Sequence, residues 1–216
     1  MRKLLSDKFF ERPALAVARE LLGKYLVRRC PSTGASTERF GPELTAEGLS
    51  RMSSGRRRKY VVAMITEVEA YDGPHDGASH ASRGLTKRNA PMFGPPGRWY
   101  VYFTYGMHWM LNVVTREKGY PAAVLIRSVQ FMEVQPPYRE VEPRCRCISG
   151  PGRVTRFFKI DKRFNGMRAS RRTGLWIEDR GVRVSKRQIA KGERIGVEYA
   201  GPVWSKKKYR FVLSGK

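Results

Sequence analysis

Two runs rich in aromatic and β-branched residues, Trp99 to Thr104 and His108 to Thr115, flank Tyr105-Gly106-Met107. So short a glycine-containing link joins strands as an antiparallel hairpin. Similar short runs recur along the chain: Tyr25 to Arg29, Tyr60 to Ile65 continuing through Tyr71, Ala122 to Val129, Leu175 to Glu178, Val182 to Ser185, Ile195 to Tyr199 and Tyr209 to Leu213. Glycines and prolines such as Gly73-Pro74 punctuate them. Helical spacing is clearest in Ala14, Val17, Ala18, Leu21 and Leu22, with Pro13 before them and Gly23 positioned to end the helix, a pattern of core packing. A second helix is expected from Ser149-Gly150-Pro151-Gly152 through Phe158, its first N–H groups free for capping or for a phosphate. These patterns predict an α+β fold, one mixed domain over residues 1–216, in which an antiparallel sheet carries surrounding helices and a protruding β-hairpin. Pro31 to Lys59, ending in Arg56-Arg57-Arg58-Lys59, reads as a polar, basic loop insertion, and Phe131 to Arg146 as a connection.

Charge narrows the function. The 216 residues hold 43 Lys+Arg against 19 Asp+Glu, a net charge of +24. That excess exceeds what solubility needs and suits a polyanion, because Lys and Arg gain affinity for phosphate by releasing counterions. A membrane surface is the other polyanion, but the sequence has no amphipathic basic helix, lipidation motif or long apolar run, so no membrane partner is expected. Met1 to Phe10 lacks an apolar stretch of signal-peptide length, so the chain is expected in the cytoplasm or nucleoid, or in the nucleus, rather than secreted. Cys30, Cys145 and Cys147 read as free thiols, and with only three histidines neither a structural zinc site nor any other metal is implied.

Charge alone does not make an enzyme; the stretch from Glu67 to Asn112 does more. Glu67 and Glu69 lie two apart on a strand, so both point to one face. Tyr71, His80, Tyr100, Tyr102, Tyr105, Asn112 and Arg127 add flat surfaces, hydrogen-bonding groups and a fixed cation, although any one tyrosine could equally be a packed strand aromatic. An enzyme acting on a base must pull the nucleotide from the stack, hold it between aromatic walls and fill the gap left behind. Tyr71, His80 and Tyr102 suit the walls, and Tyr105, at a rigid hairpin tip, suits the wedge. Loss of a base passes through an oxocarbenium-like state, where an ionised carboxylate can stabilise positive charge and deprotonate water. A neighbouring Arg127 would keep that carboxylate ionised, while burial would push the other way.

At these residues the sequence resembles the alkyladenine, methylpurine-type family of 3-methyladenine DNA glycosylases. EVEAYDGPHDGASHASRG, KRNAPMFGPPGRWYVYFTYGMHWMLNVV and AAVLIRS look like its core segments in order, and SGPGRVTRFFKID, LWIED, RIGVEYAG and WSKKKYRF extend the likeness over about nine-tenths of the chain. The resemblance implies a single domain with a curved antiparallel sheet that works as a monomer, without metal or other cofactor. It also implies a monofunctional hydrolase that removes alkylated or deaminated purines from double-stranded DNA and leaves an abasic site. By the same resemblance Glu69 is the general base, and Arg127 and the backbone carbonyl of Ile195 help hold the water. Tyr71, His80 and Tyr102 line the pocket, Leu125 is an apolar wall, Asn112 crowds the amino group of guanine and Tyr105 enters the minor groove. The chain departs from the family pattern in its long 31–59 insertion and in His108, where another aromatic is usual.

Two other classes compete. A basic, non-catalytic nucleic-acid binder of ribosomal type would stack bases on tyrosines and give Glu69 no task. A metal-dependent nuclease would gather Glu67, Glu69, Asp72, Asp76 and His80 around a divalent ion.

Overall fold

The computed structural model describes residues 2–30, 60–133 and 144–214. The insertion expected at 31–59 therefore lies outside the described residues, as does the middle of the 131–146 connection. The architecture is α+β: among the described residues ten strands form one sheet in which every pairing is antiparallel. In chain order the strands are β1 (Lys3–Leu4), β2 (Tyr25–Arg29), β3 (Tyr60–Asp72), β4 (Trp99–Thr104), β5 (His108–Val114), β6 (Ala122–Glu133), β7 (Arg144–Ser149), β8 (Leu175–Asp179), β9 (Ile189–Gly192) and β10 (Arg210–Leu213). The helices are α1 (Asp7–Phe10), α2 (Ala14–Leu21), α3 (Pro151–Phe157) and α4 (Gly201–Ser205). The main path runs β1-β8-β2-β3-β6-β5-β4.

Helix α2 forms where the apolar spacing predicts it. It buries Ala14, Val17, Ala18 and Leu21 in a core shared with Ile65, Val68, Val124 and Ile126. Each large side chain so buried contributes about 1.5–3 kcal/mol. Gly23 follows at φ +80, with Val182 and Val184 packed close over its missing side chain. That packing corrects one expectation: Val182 to Ser185 is not a strand, because its valines cover the end of α2 instead of joining a ladder. Ile195 to Tyr199 is not a strand either. Gly196 at φ +73 breaks it, and a 3-10 turn, Glu198–Ala200, follows.

Strand β3 is the hub. Val61, Ala63 and Ile65 point into the core, and a regular alternation would send Glu67 and Glu69 there too. The register with β6 shifts twice, between Ile65 and Glu67 and between Glu67 and Val68, leaving Thr66 and Arg127 as the extra residues. The first shift flips the phase, so Val68 and Ala70 continue the core while Glu67, Glu69 and Tyr71 turn to the opposite face. The second places Arg127 at a bulge beside them.

The hairpin is present with the predicted turn. Met107 N–H donates to Thr104 C=O, and Tyr105 and Gly106 lie at φ 53 and 64, the two positive values of a type I′ link. Strand β5 pairs with β6 only through residues 112–114, and beyond that β7 takes its place beside β6. The tip of the hairpin thus leaves the sheet, and Tyr105 stands 76 % exposed.

Candidate active site

Four side chains lie in one cross-strand row, Tyr100, Asn112, Leu125 and Glu69, on the sheet face opposite the core. Glu69 is completely buried. One carboxylate oxygen, Oε1, accepts the Ile195 N–H at 2.8 Å and lies 3.3 Å from Arg127 Nη1. The other, Oε2, accepts the Tyr71 hydroxyl at 2.9 Å. Burial pushes its pKa above the ordinary glutamate value, and Arg127, the Ile195 amide and Tyr71 pull it back. A carboxylate oxygen can accept two hydrogen bonds, so Oε2 keeps capacity for a water.

Glu67 faces the same way but is differently engaged. It accepts from Ser128 Oγ at 2.6 Å and Arg210 Nη1 at 3.1 Å, and Arg127 Nε lies 3.3 Å away. Two arginines therefore answer two carboxylates, and Arg127 bridges both.

Next to Glu69 opens an aromatic cleft bounded by Tyr71, Ala78, His80, Met92, Tyr100, Tyr102, Asn112, Ala123 and Tyr199. The His80 and Tyr102 rings meet edge to face at 4.6 Å, and His80 Nδ1 is 2.8 Å from the Tyr100 hydroxyl. Burial, with Arg88 and Arg83 nearby, lowers the His80 pKa to about 4, so the ring is neutral at pH 7. Burial raises the Tyr102 phenol well above its usual range, and the Arg88 guanidinium lies 5.1 Å from the centre of that ring. Asn112 is fixed by donating to the Tyr100 carbonyl at 3.1 Å. Leu125 is buried in the row between Glu69 and Asn112 but does not bound the cleft.

The loop from Asp76 to Gly97 supplies Ala78, His80 and Met92 to the cleft and is held by its own hydrogen bonds. Buried Asn89 ties it together, donating to the carbonyls of His80 and Gly84 and accepting the Thr86 N–H. His80 opens a 3-10 turn, His80–Arg83, whose preceding Ser79 side chain accepts the Ala81 N–H.

Three residues take roles that the sequence reading does not give them: Arg194 and Tyr199, which it does not single out, and Asp76, which it offers only as a metal ligand. Arg194 and Asp76 form a fully buried ion pair, in which Nη1 approaches Oδ2 and Nη2 approaches Oδ1 at 2.8 Å. The same guanidinium donates to the carbonyls of Ala70 and Trp204 and lies 4.8 Å from the centre of the Tyr71 ring. It thereby anchors both Tyr71 and the backbone that presents Ile195. The third is Tyr199, whose hydroxyl donates to the Ala78 carbonyl at 2.9 Å. Ile195 itself reaches Glu69 through its N–H, whereas the sequence reading gave it a role through its carbonyl.

The five groups of the nuclease reading do not converge: Asp76 is held by Arg194, Asp72 lies 3.4 Å from Arg116 Nε, and Glu67 is shared by Arg127 and Arg210. A larger cavity, about 240 Å³, lies between Val27, Arg29, Tyr60, Trp176 and neighbouring arginines, but none of the expected site residues lines it. The sequence-predicted residues Tyr71, His80, Tyr102 and Asn112 line the smaller cleft.

The family model for methylpurine-DNA glycosylase matches residues 36–216. A protein of Methanocella arvoryzae, provisionally named a 3-methyladenine DNA glycosylase, is 41% identical over 92% of this chain and 86% of its own length. Proteins with the same provisional name from Myxococcus xanthus and from Legionella pneumophila strain Paris are 39% and 37% identical, over 95% and 99% of this chain and 88% and 95% of their own lengths. A match of this extent establishes that the chain belongs to the methylpurine-DNA glycosylase family of DNA repair enzymes.

Proposed function

We propose that the protein, acting as a monomer, draws alkylated or deaminated purines out of double-stranded DNA and hydrolyses their N-glycosidic bond. The observation that carries this reading is Glu69: a fully buried carboxylate, held for ionisation by Arg127, Tyr71 and the Ile195 amide, at the edge of an aromatic cleft.

In this reading Glu69 Oε2 takes a proton from a water molecule, whose oxygen forms a bond to the anomeric carbon. The bond from that carbon to the purine nitrogen breaks, and its electron pair leaves with the base. The sugar becomes abasic and Glu69 returns the proton to solvent. A purine made cationic by alkylation leaves as a neutral molecule, and its charge is attracted to tyrosine faces while the neutral His80 adds no repulsion. In the same reading Asn112, held by its bond to Tyr100, disfavours guanine by crowding its amino group. Tyr105 fills the gap in the helix.

The test is release of free 3-methyladenine or hypoxanthine from a duplex, followed by chromatography, with excess chelator present and across a range of pH. The ionised form of Glu69 is the active one and its pKa is raised, so the single-turnover rate should climb with pH through a limb above the ordinary glutamate value. His80 titrates near 4 and should add no inflection between pH 6 and 9. Absence of base release at every pH would favour the non-catalytic binder.

The wedge gives a second prediction. A bulky residue in the left-handed region is strained by about 1 kcal/mol, and Tyr105 holds φ 53. Tyr105→Gly should therefore raise the melting temperature by roughly 2–4 °C while weakening capture of a damaged duplex relative to an undamaged one. Unchanged discrimination between the two duplexes, measured by competition binding, would remove Tyr105 from the wedge role.

A further inference from the structure

The segment that offers the Ile195 amide to Glu69 also carries Tyr199, four residues on. Tyr199 bounds the cleft alongside Tyr71, His80 and Tyr102, yet it is 63 % exposed, so it forms the outer side. Its hydroxyl is tied to the Ala78 carbonyl, and Ala78 in turn donates its N–H to Asp76. Gly77, between them, lies so close to Trp204 and the Ala200 carbonyl that a side chain there would clash. The 198–204 stretch thus rests directly on residues 76–78.

Two features make this outer side movable. Gly196 and Gly201 bracket it at φ +73 and +77, and a side chain built at either would meet no atom within 4 Å. Glycine at both ends gives the backbone a wide choice of angles there. The cleft is open on one side and holds only about 30 Å³. A purine ring system fits only if a wall gives way, and Tyr199 is the wall that faces solvent.

We propose that Tyr199 is a substrate-contacting, specificity-determining residue that releases Ala78 to admit a purine and closes over it as a further aromatic surface; this rests on the glycosylase reading above. Closure favours a compact purine and penalises one that holds the outer side open. The residue has no bond to Glu69, so it ranks substrates without setting the state of the base.

The experiment compares single-turnover excision of hypoxanthine and of the larger ethenoadenine by wild type, Tyr199→Ala, Tyr199→Leu and Tyr199→Phe, with pH profiles and thermal unfolding. Removing the ring should move the rate ratio toward ethenoadenine by about 10-fold or more, the scale on which pocket shape discriminates. Tyr199→Phe keeps the ring and should hold the ratio within roughly 2-fold of wild type. The acid limb should stay in place in all variants, because every partner of Glu69 is retained. An unchanged ratio in Tyr199→Ala and Tyr199→Leu would overturn the proposal. So would a displaced acid limb with the ratio intact, which would make Tyr199 a support for Ile195. Wild-type protein that releases no base from either duplex would defeat the glycosylase reading itself, a result separate from any change among variants.

Discussion

Glu69→Gln should lower single-turnover release of hypoxanthine or 3-methyladenine by about 10²–10⁴-fold, the usual contribution of a positioned general base. The substitution keeps size and shape in a site with no room to spare. The amide oxygen can still accept the Ile195 N–H, and the Tyr71 hydroxyl can turn to meet the new amide hydrogens. Arg127 loses one carboxylate but keeps Glu67. The cost of desolvating a buried anion disappears together with its attraction to Arg127, so the two terms offset and the protein should stay folded. Binding to duplex should be equal or stronger, because a negative charge is gone. Glu67→Gln is the matched control: Ser128 and Arg210 bond Glu67 alone, and Arg127, which it shares, keeps the ionised Glu69, so its loss should cost less than about 10-fold. Release by Glu69→Gln within about 3-fold of wild type would take the base role from Glu69.

Much of this arrangement is legible in the sequence because it is local. Glu67, Glu69 and Tyr71 share a face by strand periodicity, and the hairpin follows from two aromatic runs around Tyr105-Gly106. What the periodicity hides is which face they share. Without the extra residue Thr66 the same alternation would bury both glutamates in the core, and nothing in the string of residues marks the register shift. Arg127 is similarly placed by a bulge. The Arg194–Asp76 pair joins residues 118 apart, a separation that side-chain spacing cannot bridge. The alternation of Ile195, Val197 and Tyr199 imitates a strand, but Gly196 and Gly201 at positive φ turn it into a loop whose amide and tyrosine both reach the site. Shared faces within one element are readable from periodicity; contacts between distant elements, such as the Ile195 amide on Glu69 or Arg194 on Asp76, are not.

Asp76→Ala should be the most destabilising single change near the site, at about 3–5 kcal/mol, because it strands a guanidinium with no exposure to water. Burial works against the charge on Arg194, and Asp76, with smaller help from Tyr71 and Glu69, is what offsets it; with Asp76 gone the guanidinium still does not escape by becoming neutral, because arginine does not deprotonate in proteins. Its Nε already lacks a hydrogen-bond partner, and the Ala70 and Trp204 carbonyls satisfy only part of the remaining donors. With about 2–4 °C per kcal/mol for a chain of this size, the melting temperature should fall by roughly 10 °C. Function should change as well, and in a defined direction. Loosening Arg194 frees the adjoining Ile195 amide from Glu69, and losing a donor to the ionised form raises the pKa of that carboxylate further. The acid limb of excision should then move to higher pH at temperatures where the variant is still folded. The double change Asp76→Leu with Arg194→Met removes both charges and should be less destabilising than Asp76→Ala alone, because a buried pair costs most when only one partner is lost. Denaturant unfolding of the three proteins decides it: a loss below about 1 kcal/mol in Asp76→Ala would mean the pair does not anchor the site.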